Sequence, residues 1–219
     1  MMTTATSHAG RAEDAAVRVL PALERDTKAL NLRVGAPVFI RIFKQDAVLE
    51  LWLKGVPRYQ LFRSYPICAF SGALGPKTME GDGQAPEGVY QVKQEQMNPA
   101  SRFHLSFNLG YPNAYDQAHG YTGSALMVHG NCISIGCYAM TDAKIEEIYT
   151  LMARAFAGGQ QSISVHALPF RLTQDALSAH SNQPFTEFWQ ELAPIYQAFE
   201  SDAVPPKVLV QAGRYRIAK

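Results

Sequence analysis

The chain predicts an α+β fold, a strand-rich body with a few amphipathic helices packed on it. Three observations carry this. Between Pro37 and about residue 110, β-branched and aromatic residues run in short segments broken by glycine, proline and polar turns. From Thr141 onward, two segments instead space their apolar residues every three to four positions, as a half-buried helix does. The 219 residues, 47% of them hydrophobic and 11% aromatic, suffice for one ordinary core.

The elements follow in order. Arg11 to Leu30 reads as a helical appendage with Ala15, Val19, Leu23 and Leu30 loosely on one side, divided by Pro21 into one or two short helices. Val38–Phe43 and Val48–Leu53 flank a polar Gln45-Asp46 turn and read as a hairpin. Arg58–Phe70 reads as a further strand, Pro66 marking an edge or a bend. The glycine- and proline-rich stretch Gly72–Gly88 is too long for a tight hairpin; it is either a binding loop or a plain surface excursion. Strands follow near Val89–Val92 and Leu105–Leu109, then a turn with two aromatics at Tyr111–Asp116. Thr141 is a good N-cap for a helix with Asp142 in its first turn and Gly158-Gly159 at its end. Its stripe of Ile145, Ile148, Tyr149, Met152, Ala155 and Phe156 is core. After a strand at Ile163–Ala167, a second helix places Phe185, Phe188, Trp189, Leu192, Ile195, Tyr196 and Phe199 on one face, with a bend at Pro194. Lys207–Val210 and Arg214–Ile217 close the chain as a hairpin.

Composition excludes some functions. The net charge is +1 and no basic block occurs, which argues against nucleic acid. No apolar run approaches the roughly 20 residues of a membrane helix. The stretch Met1–His8 has no apolar signal-peptide core, so the chain is either cytosolic or the mature form of an exported protein. No nucleotide, haem or ATP-binding motif appears, and no cofactor is expected. Of three cysteines at most one pair can bridge. Cys68 and Cys132 are the available pair if Cys137 is free, but two unpaired, buried cysteines beside one reactive thiol is the preferred reading.

The chemistry concentrates in His129-Gly130-Asn131-Cys132-Ile133-Ser134-Ile135-Gly136-Cys137. The apolar Ala125–Val128 reads as the end of a buried strand that delivers His129 at its terminus and leaves Cys137 on the loop beyond. An imidazole can raise the thiolate content of a nearby thiol, and the glycine before Cys137 lets the backbone turn its N–H groups toward the same spot. This arrangement predicts that Cys137 is the one fast-reacting thiol, with a pKa below that of a free cysteine because of His129. A rival of another class is zinc held by His129, Cys132 and Cys137, which lacks an evident fourth ligand. A non-catalytic cell-wall-binding module is the third reading.

Several segments together carry a resemblance: His129-Gly130 with Ser134-Ile135-Gly136-Cys137 and Met140; Ser71–Lys77; Gly81-Asp82-Gly83 with Pro86-Glu87-Gly88; Tyr111–Asp116 with Ala118–Tyr121; and Pro169-Phe170-Arg171. The chain resembles the L,D-transpeptidase catalytic (YkuD) superfamily, in its YafK-like branch, from about Gly35 to the C-terminus. The resemblance implies a β-rich YkuD-like catalytic sandwich over residues 35–168, with an N-terminal helical appendage (1–34) and a helix-plus-hairpin extension (169–219) packed on the same domain. It implies acyl transfer on peptidoglycan stem peptides at diaminopimelate, in the periplasm, with no metal. Cys137 is then the nucleophile and His129 its base. Gly136, Ser134 and Gly130 orient the loop, and the Cys137 N–H receives the oxyanion. Arg102, Tyr138 and His119 are candidate substrate contacts, and His104 is a weaker one. Members usually carry a histidine where this chain has Ile135, and an arginine just past the cysteine where it has Tyr138-Ala139. That arginine is thought to hold a substrate carboxylate. Its loss favours hydrolysis that releases a peptidoglycan-linked outer-membrane lipoprotein, the alternative being a true transpeptidase.

Overall fold

A five-stranded mixed sheet with both faces covered organises the molecule, seen in a computed structural model that describes residues 5–218, with side chains from residue 10. The hairpin of β1 (Val38–Phe43) and β2 (Val48–Lys54) forms in the expected register, Phe43 opposite Val48, and β3 (Tyr59–Pro66) adds as the edge strand. Pro66, with no N–H for a ladder, sits at the end of that edge. The order β3-β2-β1-β9-β4 is completed by β4 (Gly88–Val92) and by β9 (Ile163–Leu168), which lies parallel to β1.

Every residue of β1 is buried, so the period of two sorts its side chains between two cores. Val38, Ile40 and Ile42 enter a core shared with the second sheet and helix α3 (Asp142–Ala157). Phe39, Arg41 and Phe43 face the other way, under α5 (Thr186–Asp202). There Arg41, 2% exposed, pairs with Glu50 at 2.8 Å and Glu200 at 2.5 Å and lies over the Trp52 and Phe199 rings. The buried face expected for α5 is the observed one, and Pro194 lies on the solvent side of an unbroken helix.

The second sheet has the order β5-β6-β7-β8: β5 (Met97–Asn98), β6 (Ser106–Asn108), β7 (Met127–His129) and β8 (Tyr138–Ala139). An antiparallel bridge from Ala139 to Ala69 ties its last strand to the segment that leaves β3. Helix α4 (Gln174–Ala179) and the hairpin of β10 (Val208–Gln211) and β11 (Arg214–Ile217) complete the α+β architecture.

Three local expectations are corrected. The N-terminal segment is one helix, α1 (Ala5–Ala29), running through Pro21. Pro21 and Val17, the residue whose carbonyl loses its helical partner, are both exposed, so water can satisfy that oxygen while α3 supports the buried side. Arg18 to Glu146 and Arg63 to Asp26 add ion pairs along the helix. Thr141 stands at the N-cap of α3, yet its side chain caps nothing and its φ is +76°, unusual for a β-branched residue. Its N–H donates to the Asn131 carbonyl at 2.8 Å instead, and Asp142 accepts the Asn131 N–H at 2.7 Å. The Tyr111–Asp116 turn contains the start of a short helix, α2 (Ala114–Ala118), capped reciprocally by Asn113 and Asp116.

The Gly72–Gly88 loop is anchored by a buried ion pair. Lys44, just past β1, meets Glu87 at 3.0 Å with both side chains wholly buried. Lys44 also donates to the carbonyls of Gly75 and Ala85, while Glu87 accepts the Gly75 N–H and the Trp189 indole N–H. Removing one partner of such a pair strands a charge. We expect Lys44→Met to lower unfolding stability in urea by about 3–5 kcal/mol and to open the loop to limited proteolysis. A loss below about 1 kcal/mol, within the scatter of surface substitutions, would contradict this anchoring role.

Candidate active site

His129 is the last residue of β7, and Cys137 immediately precedes β8, its parallel neighbour. The Cys137 sulfur accepts the Met127 N–H at 3.3 Å and faces the Ala125 carbonyl at 3.9 Å. Met127 and His129 stand two positions apart on one strand, so their side chains share a face. The expected strand-end histidine and loop-end cysteine are therefore brought to one edge of the second sheet.

His129 is 2% exposed and stacks on Phe103 with ring centroids 4.6 Å apart. Its Nδ1 lies 2.6 Å from the Gly130 carbonyl oxygen. A carbonyl only accepts, so Nδ1 carries the proton and Nε2 is left as a free base. Burial lowers the His129 pKa from its ordinary value, against a smaller opposing effect of the Gly130 carbonyl. Gly130 packs too closely for any other residue: a Cβ there would stand 2.6 Å from Asp142 Oδ1 and 2.7 Å from the Phe103 carbonyl.

The expected low thiol pKa is corrected. Burial pushes the Cys137 thiol up, and the Met127 N–H and the Lys77 charge only partly oppose it. His129, neutral by burial, contributes no charge. The resting pair is thus a neutral thiol and a neutral imidazole.

The expected oxyanion donors are corrected as well. The Cys137 N–H donates to Ser134 Oγ at 3.0 Å, and that hydroxyl donates to the Cys137 carbonyl at 2.7 Å. Gly136, at φ +83°, donates its N–H to Ser71 Oγ at 2.6 Å, and Ser71 donates in turn to the Gly83 carbonyl. The N–H groups of Gly136 and Cys137 are both engaged. Ser134 and Gly136 are thus held within the loop by these hydrogen bonds, and Gly130 by its close packing.

Cys68 and Cys132 form a disulfide, with Cα atoms 5.3 Å apart. This overturns the reading of two unpaired, buried cysteines: Cys132 is exposed and Cys68 only half-buried. The Ala69–Ala139 bridge carries Cys68 alongside β8, within bonding reach of the loop that holds Cys132. It also overturns the proposed zinc set, since Cys132 has no thiolate to offer.

The substrate-contact candidates separate. Tyr138 is wholly buried, its hydroxyl donating to the Pro86 carbonyl at 2.7 Å, so it is core behind Cys137 and reaches no substrate. His119 caps α2 and stacks on Tyr115 near the Ala212-Gly213 turn; its described contacts include neither Cys137 nor His129. His104 is bound to Glu146 at 2.7 Å. Arg102 is exposed, next to the Phe103 that covers His129, and has no ion pair among the described residues. Sequence reasoning missed Phe103 and Ser71 as partners of the site, and no local pattern marks either. It also missed an apolar rim: Ile133 and Ile135 are exposed on the cysteine loop, Ile135 by 84%, as are Phe103 over His129 and Met79 on the Gly72–Gly88 loop. The Gly72–Gly88 loop does border the site, through Gln84, whose carbonyl lies 3.5 Å from a Cβ placed on Gly136.

Comparison with protein families assigns the chain. The model of the YkuD L,D-transpeptidase catalytic domain matches residues 37–164. The chain belongs to this family. The YkuD match spans the five-stranded sheet up to the start of β9, together with β7, the Cys137 loop and α3. The chain is 47% identical over 186 residues to YafK of Escherichia coli K12, provisionally named an L,D-transpeptidase, covering 85% of this chain and 76% of that protein. The same figures hold for YafK of Escherichia coli O157:H7. A point mutant of the helical cell shape determining protein Pgp2 from Campylobacter jejuni shares the fold, with a TM-score of 0.50 and 19% identity over 74% of this chain and 56% of that one. YkuD membership makes the protein a peptidoglycan-directed enzyme of L,D-transpeptidase type.

The thiol assignments have a direct test. Without reductant, peptide mapping after alkylation is expected to find label on Cys137 alone, and more slowly at pH 7 than on a free cysteine, because the raised pKa leaves less thiolate. Cys68 and Cys132 are expected to label only after reduction; labelling of all three beforehand would refute the disulfide.

Proposed function

We propose that the protein is a cysteine-dependent amidase that cuts an acyl–amine bond at diaminopimelate in the periplasm, releasing a lipoprotein attached to peptidoglycan through a lysine. The observation that carries the chemistry is the Cys137 sulfur held at the Met127 N–H, on the strand whose next residue on the same face is the buried His129, its Nδ1 proton committed to the Gly130 carbonyl. His129 Nε2 takes the thiol proton as the sulfur attacks the carbonyl carbon. The tetrahedral intermediate collapses by expelling the amine, which leaves with the proton from His129. Water then attacks the thioester with His129 as base, and the products are a carboxylate and the restored thiol. With both partners neutral at rest, the proton moves as the bond forms, and no standing ion pair is needed.

Hydrolysis is favoured over cross-linking because the positions after Cys137 hold buried Tyr138 and Ala139, which offer no cation for a donor carboxylate. Loss of one bidentate ion pair costs roughly 1.5–3 kcal/mol of binding. Arg102, exposed beside the Phe103 that covers His129, serves in this reading as the carboxylate partner. The apolar rim of Met79, Phe103, Ile133 and Ile135 suits a polypeptide leaving group better than a sugar.

Sacculi carrying covalently bound lipoprotein, and separately tetrapeptide stems with an amine acceptor, distinguish the outcomes by mass analysis of the muropeptides. Lipoprotein fragment is expected from the first and no new cross-link from the second, with both reactions lost in Cys137→Ala and His129→Ala. New cross-links without release would establish transpeptidation instead. Sacculus binding that survives Cys137→Ala, with no turnover by the wild type, would establish a binding module.

A further inference from the structure

Lys77 is 5% exposed, in the middle of the Gly72–Gly88 loop. Its ammonium donates to the Met79 carbonyl at 2.8 Å and to Asp82 Oδ1 at 2.6 Å, which leaves one of its three protons without a partner among the described residues. Two segments enclose it, one packed on Gly136, the neighbour of Cys137, and one leading to the carbonyl that faces the sulfur. On one side Asp82 accepts the Gln84 N–H, and the Gln84 carbonyl packs on Gly136. On the other side lies Gly123, two residues before the Ala125 whose carbonyl faces the sulfur. A Cβ on Gly123 would meet Lys77 Cε at 2.7 Å, so only glycine lets the lysine lie there.

Among the described residues, the titratable side chains next to the sulfur and next to Lys77 are otherwise neutral, Asp82 excepted. His129 is held neutral by burial, the disulfide is neutral, and Tyr111, whose hydroxyl donates to the Lys77 carbonyl, has its pKa raised by burial as does Tyr121. Among the described residues Asp82 is the anion that pairs with the lysine. Burial alone would raise its pKa, but Lys77 and the N–H groups of Met79, Gln84 and Thr78 hold it at about 2, so it is ionised at neutral pH.

The Met127 N–H is the one hydrogen bond donated to the sulfur among the described residues, and it is neutral, so negative charge developing on the sulfur during attack has room for a charged counterpart. We propose that Lys77 is that counterpart, a positioning residue whose buried ammonium, aimed by Asp82, stabilises the Cys137 thiolate. The proposal rests on Cys137 being the nucleophile. It assigns a role to the Gly72–Gly88 loop beyond bordering the site.

The test reads the sulfur itself and needs no substrate, so its failure is separate from failure of the amidase reading. The rate of Cys137 alkylation by iodoacetamide is followed against pH in the disulfide-intact protein, with thermal melting as the check on folding. Lys77→Met and Asp82→Asn break the same ion pair, so a purely structural role predicts shifts of the same sign for both. An electrostatic role predicts opposite signs. Lys77→Met is expected to raise the apparent thiol pKa and slow alkylation at pH 7 by about tenfold, the scale for one nearby unit charge in a partly buried setting. Asp82→Asn is expected to lower the pKa and speed alkylation, and Lys77→Arg to keep the wild-type profile. Shifts of the same sign, or an unchanged pKa in a folded Lys77→Met, would overturn the proposal. If Lys77→Met fails to fold, Asp82→Asn decides: a lowered pKa supports the role, and an unchanged or raised one overturns it.

Discussion

The arrangement of the site depends on one buried ion pair that takes no part in the reaction. Lys44 and Glu87 are completely removed from water, and burying two charges is costly unless every hydrogen-bonding position is used. Here nearly all are: two loop carbonyls on the ammonium, a loop N–H and an indole N–H on the carboxylate. Those partners belong to the end of β1, to both ends of the Gly72–Gly88 loop and to α5. Such a pair contributes little net stability compared with an apolar substitute, but it admits only one geometry. A seventeen-residue loop rich in glycine and proline is thereby given a single position, with Ser71 and Gln84 against Gly136 and the Lys77–Asp82 pair behind them.

The loop that holds Cys137 is restrained from several directions by chemically different means. The disulfide fixes its middle to the strand exit after β3, Asp142 and Thr141 tie its start to the first turn of α3, and the Ser134 and Ser71 hydroxyls hold its end. The positive φ of Thr141 belongs to this set: a β-branched residue in that conformation is held by its neighbours, against its own preference. The result is a rigid nucleophile loop whose exposed residues, Ile133 and Ile135, are apolar.

Electrostatically, the pair is quiet at rest. Burial disfavours both the thiolate and the imidazolium, which shields a partly exposed cysteine from adventitious chemistry while leaving the base in the correct tautomer. Reactivity then depends on charge supplied at the moment of attack, which is why the one buried cation near the sulfur is of interest. The helix α1 supports the sheet edge from behind through its ion pairs and its packing on α3, and its Arg11 donates to the Ser101 and His104 carbonyls that flank Phe103.

Period and turn chemistry alone determined the hairpin at Val38–Leu53, the buried faces of α3 and α5, the terminal hairpin and the α+β class, because each is a local pattern repeated over enough residues to be unambiguous. The juxtaposition of His129 and Cys137 was legible for a similar reason, since eight residues with two glycines can do little except turn back. What the tertiary structure decided is everything that rests on a partner distant in sequence. Cys68 and Cys132 are 64 residues apart, and their pairing required the Ala69–Ala139 bridge. Tyr138 is adjacent to Cys137 yet points into the core, because strand alternation sends neighbours to opposite faces and only the packed sheet says which face is wet. Pro21 lies within a continuous helix because its defect falls on the solvent side. The pKa values of His129 and Cys137 moved opposite to an activated pair, because desolvation is a property of the surroundings and no motif carries it.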